Sequence, residues 1–173
     1  MSAEFRTSAE FRTTASLLIA LQHVQLPVRI LGIEGHSTSG KSSLGRDLEK
    51  RNAGRLFSTD SYARQRHADE CYADLIDLER LRRDVFAART EALVMIEGIC
   101  LRDVLTEAAL KPDAFVYCKR ISAAGLWPDD PGNYVSDGEP NADLNWVDRQ
   151  SVLYHLRQKP LERADFVFIR KEE

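Results

Sequence analysis

Apolar residues in this chain fall into two kinds of run. Five are short and nearly continuous: 28–35 (VRILGIEG), 55–60 (RLFSTD), 92–99 (ALVMIEGI), 114–120 (AFVYCKR) and 165–170 (DFVFIR). They are rich in β-branched and aromatic residues, as strands covered on both faces should be. Between them the apolar positions take helical spacing. SSLGRDLEKR follows the first run, DLIDLERLRRDVFAA precedes the third, LRDVLTEAAL follows it, and WVDRQSVLYHLRQ precedes the fifth. TTASLLIALQHV comes before them all. Strand and helix alternate, which predicts an α/β fold, a five-stranded parallel sheet with helices on both faces. Ligands of such sheets sit beyond the carboxyl ends of the strands.

Two stretches break the pattern. GLWPDDPGNYVSDGEPNADLN (125–145) carries three prolines, three glycines and a cluster of carboxylates, so it predicts no regular element. A loop this long in a compact domain reads as a lid or binding loop. SAEFRT occurs twice in tandem over residues 2–13, too few copies for a solenoid. The expected organisation is an N-terminal helical extension at 1–27 and one domain at 28–173, with its lid or substrate loop at about 121–145.

Composition narrows the partners. At 173 residues, 43% hydrophobic and 29% charged, the chain fits one soluble domain. A net charge of -3 gives no basic field, so nucleic acid is not an expected partner. No apolar run approaches the ~20 residues of a membrane span. Glu4 and Glu10 precede only a short apolar patch, unlike a signal peptide. Cys71, Cys100 and Cys118 are far apart with no CxxC, as expected of reduced thiols in a cytoplasmic protein. Monomer and homodimer both stay open.

The chemistry is concentrated in GIEGHSTSGKSS. Gly35, Gly40, Lys41 and Ser42 match G-x-x-x-x-G-K-[ST] in full, with an apolar strand before and a helix after. A chance match in a chain this long is on the order of one per cent. Glycines let backbone N–H groups approach phosphate oxygens, and the helix start adds partial positive charge. The cradle for ATP or GTP is therefore Gly35, His36, Ser37, Thr38, Ser39, Gly40, Lys41, Ser42 and Ser43. Lys41 would reach the β- and γ-phosphates, and the Ser42 hydroxyl would ligate Mg²⁺. His36 reads as a passive loop position. Two acids end other strands, Asp60 in RLFSTD and Glu97 in ALVMIE. A buried acid needs a charged partner. Mg²⁺, or a water on it, suits Glu97, and Asp60 is free to accept a hydroxyl proton as a general base. For each, capping of the following helix is the competing reading.

GIEGHSTSGKSS, FSTDSY and VMIEGICL occur in the order and type of the uridine kinase and nicotinamide riboside kinase group, which the chain resembles over 28–170. These are small P-loop kinases that phosphorylate the 5′-hydroxyl of a nucleoside. The resemblance implies a D-x-[FY] pair at Asp60 and Tyr62, with Asp60 as base, and a metal-side acid at Glu97 before Gly98. CYADLIDLERL resembles the helix start that holds ribose hydroxyls, which implies Asp74, with Tyr72 as a stacking surface. PDDPGNY implies Tyr134 as the tyrosine that stacks on the base. KPLERADFVF resembles the P…AD ending before the last strand.

The chain also departs from that pattern. Only VFAARTEA fills the interval where uridine kinases carry a β-hairpin over the nucleoside. In place of an arginine-rich lid helix, CKRISAAGLWPDDPG offers Lys119 and Arg120 and then turns acidic. Arg120 is the candidate lid cation, and Arg149 a substitute whose competing reading is a surface position on an amphipathic helix. His67 and Cys71 sit four apart but two ligands make no zinc site. Trp127 and Trp146 flank the acidic loop, where closure over a substrate and plain burial are equal readings. The expected activity is phosphoryl transfer to a small-molecule acceptor, most consistently a nucleoside. A nucleotide-binding regulator without turnover, or a sugar, acid, vitamin or peptide acceptor, are the alternatives. No N-K-x-D motif points to a GTPase switch.

Overall fold

The computed structural model describes residues 9–24, 28–51, 53–65, 70–90 and 92–172. Its first element is a strand. In the second SAEFRT copy, Ala9–Phe11 forms β1, and Phe11 packs edge-on against Phe166 at 5.8 Å between centroids. Thr13 then caps α1 (Thr14–Gln22) by accepting the Ser16 amide at 3.1 Å. Of the stretch expected to be helical at 1–27, residues 14–22 are helix and 9–11 strand, while 1–8 and 25–27 lie outside the described residues.

The rest of the chain alternates as its pattern predicts. β2 (Ile30–Glu34), α2 (Lys41–Lys50), β3 (Arg55–Ser58), α3 (Leu78–Ala88), β4 (Val94–Glu97) and α4 (Leu101–Glu107) lead to β5 (Ala114–Ile121). Two-residue strands β6 (Val135–Ser136) and β7 (Glu139–Pro140), then α5 (Trp146–Gln158) and β8 (Phe166–Lys171), complete it. The main sheet has order β1-β8-β5-β2-β4-β3 with every pair parallel. Six strands stand where five were expected, because β1 is three residues long and its identity lies in its pairing with β8, not in any local period.

Alternation along the strands divides the core. Leu31, Ile33, Met95, Val116 and Cys118 face Leu17 and Leu21 of α1 and Leu44 and Leu48 of α2. Ile30, Val94 and Ile96 face α3, α4 and Tyr154 of α5. Both faces are covered, which explains the near-continuous apolar runs. The stretch 125–145 is less irregular than expected. Its Pro131–Tyr134 segment is a short 3₁₀ turn, and β6 and β7 form a hairpin across Asp137 and Gly138, both at positive φ. Asp-Gly is the residue pair that such a turn selects. α3 starts at Leu78, capped by Asp77. No described helix is long and apolar enough to cross a membrane.

Candidate active site

β2 is central, and the loop leaving its carboxyl end is the G-x-x-x-x-G-K-[ST] segment. Gly40 precedes α2 at φ 101°, a conformation that glycine alone adopts without cost. The Lys41 side chain folds back and donates to the His36 carbonyl at 2.7 Å. Lys41 is only 7% exposed. Burial pushes its ammonium pKa down, while Glu97, Cys118, Asp60 and Asp129 pull it back up. Its hydrogen-bond partner is a neutral carbonyl, so the charge is not consumed by an ion pair. His36 Nε2 and Ser39 Oγ, both buried, have no hydrogen-bond partner among the described residues. Such atoms are costly inside a protein, and phosphate oxygens are suitable partners.

Adjacent strands bring the first acid into range. Ser42 Oγ, at the start of α2, donates to Glu97 Oε1, at the end of β4, at 3.0 Å. A hydroxyl beside a carboxylate is a hard-oxygen pair that fits Mg²⁺, which takes one or two protein oxygens and draws the remainder from phosphate and water. Among the described residues no group of three or more His, Cys, Asp or Glu forms a closed cation cage. A cation here would therefore depend on ligands from a bound substrate.

Asp60 stands just past β3, in a 3₁₀ turn spanning Thr59–Tyr62, and is exposed. Tyr72 donates its hydroxyl to Asp60 Oδ1 at 2.6 Å and also lies 3.1 Å from Thr59 Oγ1. With the tyrosine proton committed to Asp60, Thr59 must be the donor in the second bond. Burial and the Asp60 carboxylate raise the Tyr72 pKa far above its ordinary value, so it stays protonated. Tyr72 therefore orients Asp60. Its ring packs in the core and is only 5% exposed, less open than the stacking surface expected of it.

Gly98 is what lets Thr59 reach that position, since a Cβ at 98 would fall inside the Thr59 hydroxyl. Gly98→Ala is expected to destabilise the fold by about 1–3 kcal/mol through overpacking, read from the urea midpoint.

Other expected substrate residues are more dispersed. Tyr62 is buried and donates to Asp84 at 3.1 Å, with Arg80 over its ring, so it anchors α3. Asp74 is exposed and accepts the Cys71 amide at 3.0 Å; hydrogen bonds from Cys71 hold its carboxyl below the usual range. Of that segment Leu75, not Asp74, lines the cleft beside the 35–42 loop. His67 lies outside the described residues.

The cleft, of about 840 Å³, runs between His36, Ser37 and Thr38 on one side and the 125–145 loop with α5 on the other. Tyr134 lies in it, stacked on His36 at 5.3 Å and 8°, its hydroxyl donating to the Pro128 carbonyl at 3.0 Å. Trp146 lines the same cleft, whereas Trp127 packs edge-on against Tyr117 under Lys119. Arg120 borders the cleft but is held by Asp129 at 2.9 and 2.5 Å and by Glu172 at 3.1 Å. Those carboxylates neutralise the expected lid cation. Arg149 is exposed on α5 and is not among the residues lining the cleft.

Two further buried groups stand near the site, Glu34, which the sequence reading passed over, and His155, whose position on the last helix reads as packing. Glu34, the last residue of β2, has no solvent exposure. Arg102 donates to its Oε1 at 2.9 and 2.6 Å, and Tyr154 to its Oε2 at 2.6 Å. Burial raises the Glu34 pKa, and the Arg102 guanidinium opposes that shift. The acid-at-a-strand-tip argument that singled out Asp60 and Glu97 applies equally to Glu34.

His155 is the second. Its Nδ1 lies 2.7 Å from the Ser151 carbonyl and its Nε2 3.0 Å from the Tyr117 hydroxyl. Burial holds its pKa down to about 4, so it is neutral, with Nδ1–H donating to Ser151 and Nε2 accepting from Tyr117. A histidine whose pKa falls on folding contributes stability in full above its unfolded value. That contribution is lost as pH drops through the window from about 6.5 to about 4. The urea midpoint should fall there by the equivalent of about 3 kcal/mol, and less steeply in His155→Gln.

No protein-family model and no curated protein matches the sequence. Among solved structures, one of a possible uridine kinase from Bacillus stearothermophilus aligns over 90% of this chain and 96% of that chain. The TM-score is 0.57 at 19% identity, so what the two share is the fold. This chain shares with that structure an α/β fold, a parallel sheet flanked by helices.

Proposed function

We propose that the protein is a P-loop phosphotransferase that moves the γ-phosphoryl group of ATP or GTP to a hydroxyl of a small metabolite. The acceptor on this reading is a nucleoside of the uridine or nicotinamide riboside type, phosphorylated at its 5′-hydroxyl. One observation carries the proposal. At a single end of the sheet stand a buried lysine bonded to a neutral carbonyl, a serine–glutamate oxygen pair and an exposed aspartate oriented by a tyrosine.

Each group has a task. Lys41 exchanges the His36 carbonyl for phosphate oxygens. Ser42 and Glu97 would hold Mg²⁺, which when bound would neutralise charge on the phosphoryl oxygens. Asp60, held at Oδ1 by Tyr72, takes the acceptor proton as the acceptor oxygen bonds to phosphorus and the bridging bond to the leaving diphosphate breaks. The cleft beside His36, with Tyr134 and Trp146 in its walls, is suited to an aromatic acceptor.

The test is ADP release from Mg·ATP with nicotinamide riboside, uridine, cytidine, adenosine, pantothenate and gluconate, each in turn. Stimulation by one nucleoside, absent in Asp60→Asn, is the expected result. Stimulation by pantothenate or gluconate alone overturns the nucleoside assignment. A second reading, a nucleotide-binding regulator, is favoured by the neutralised Arg120. It requires Mg·ATP binding with no acceptor-dependent turnover.

A further inference from the structure

β5 and β8 pair so that Arg120 and Arg170 are direct neighbours. Two guanidinium groups side by side on one sheet face repel unless anions separate them. Arg120 has its anions, Asp129 and Glu172. Arg170 is exposed and makes no hydrogen bond or ion pair among the described residues. Its side chain nonetheless lies against the phosphate loop. A Cβ on Gly40 would meet Arg170 Cδ at 2.9 Å and Nη1 at 3.1 Å.

The location separates Arg170 from the acceptor cleft. Phe166 and Phe168, four and two residues earlier on β8, pack with the core on the α1 and α2 face. Side chains alternate along a strand, so Arg170 shares that face. It flanks the loop at Gly40, whereas the cleft is bordered by His36, Ser37 and Thr38 and does not include Arg170. Next to Gly40 is Ser39, only 1% exposed, whose hydroxyl has no partner among the described residues. The unpartnered Ser39 hydroxyl thus belongs to the residue next in sequence to the glycine that Arg170 lies against.

We propose that Arg170 binds the polyphosphate of the donor nucleotide, supplying from the last strand the cation that the lid does not. This rests on the reading that the loop takes a nucleoside triphosphate. The anion missing from the Arg120–Arg170 pair is then the donor itself, and affinity resides in the phosphates, not the base.

The experiment is calorimetric binding of Mg·ATP and of inorganic tripolyphosphate to the full chain, to Arg170→Ala, Arg170→Lys and Lys41→Ala. Removing a charge-assisted contact to phosphate should weaken both ligands by about ten- to a hundredfold in Arg170→Ala. Arg170→Lys should recover part of the loss, and the ligand-free melting temperature should match the parent. Loss of binding in Lys41→Ala with undiminished binding in Arg170→Ala would leave the loop assignment standing and overturn that of Arg170. Weaker ATP with unchanged tripolyphosphate would assign Arg170 to the base or ribose and overturn the phosphate contact. If the parent binds neither ligand, the loop assignment fails and Arg170's role fails with it.

Discussion

On the proposed function, Asp60→Asn should lower acceptor-dependent turnover by about 10²–10⁴-fold while Mg·ATP affinity stays within about twofold. The substitution preserves shape, and Tyr72 still has an oxygen at 60 to which it can donate. What disappears is the capacity to take a proton. Removal of the tyrosine hydroxyl separates orientation from basicity. Tyr72→Phe keeps the carboxylate but frees it from its 2.6 Å bond, so kcat should fall by about tenfold, with KM for the acceptor less affected. Steady-state ADP release at saturating acceptor, with calorimetric Mg·ATP binding alongside, measures both. Undiminished turnover in Asp60→Asn would remove Asp60 from the reaction.

Arg102→Ala is the most damaging change to the fold. It leaves Glu34, wholly buried at the base of the 35–42 loop, with Tyr154 as its remaining hydrogen-bond donor among the described residues. Stranding one partner of a buried ion pair costs about 3–5 kcal/mol. Of a total stability near 5–15 kcal/mol that is a large share. In a chain of this size the melting temperature should drop by roughly 6–20 °C. Arg102 also covers the Phe115 ring at 3.8 Å and donates to the Arg163 carbonyl at 3.2 Å, so packing is lost with the charge. Glu34→Gln combined with Arg102→Met removes both charges, while the amide oxygen introduced at position 34 can still accept from Tyr154. That pair should recover most of the loss, and a double-mutant cycle over the two sites should show strong coupling. Purely additive effects would mean that the ion pair is not what holds the strand end.

What the sequence discloses is what local chemistry determines. The five longer strands of the sheet are legible because covering on both faces forces apolar residues into nearly every position. The strand–loop–helix placement of G-x-x-x-x-G-K-[ST] is legible because an apolar run precedes it and helical spacing follows. The serine–glutamate pair follows once Ser42 and Glu97 are assigned to strand and helix ends that the sheet brings together.

What is hidden depends on distant partners. Glu34 meets Arg102 across 68 residues and Tyr154 across 120, and no period in the sequence connects them. Arg120 looks like a free cation until Asp129 turns back onto it. Tyr72 looks like a stacking surface until its ring is seen in the core, where only its hydroxyl reaches Asp60. β1 is hidden for another reason. Three residues cannot establish a period, and Ala-Glu-Phe becomes a strand only beside Phe166 and Phe168.

The pairing of β1 with β8 sets an order of assembly. The register joins Ala9 to Phe166, so the earliest described strand waits for one of the latest. Contacts so distant along the chain incur a large closure entropy and form slowly. The central strands β2, β4 and β5 can associate beforehand, which brings Ser42 opposite Glu97 while both sheet edges are still open. Arg170 reaches Gly40 only when β8 docks, and β1 closes over it last. A refolding chain would therefore build its candidate site in two stages, with the Ser42–Glu97 pair first and Arg170 afterwards.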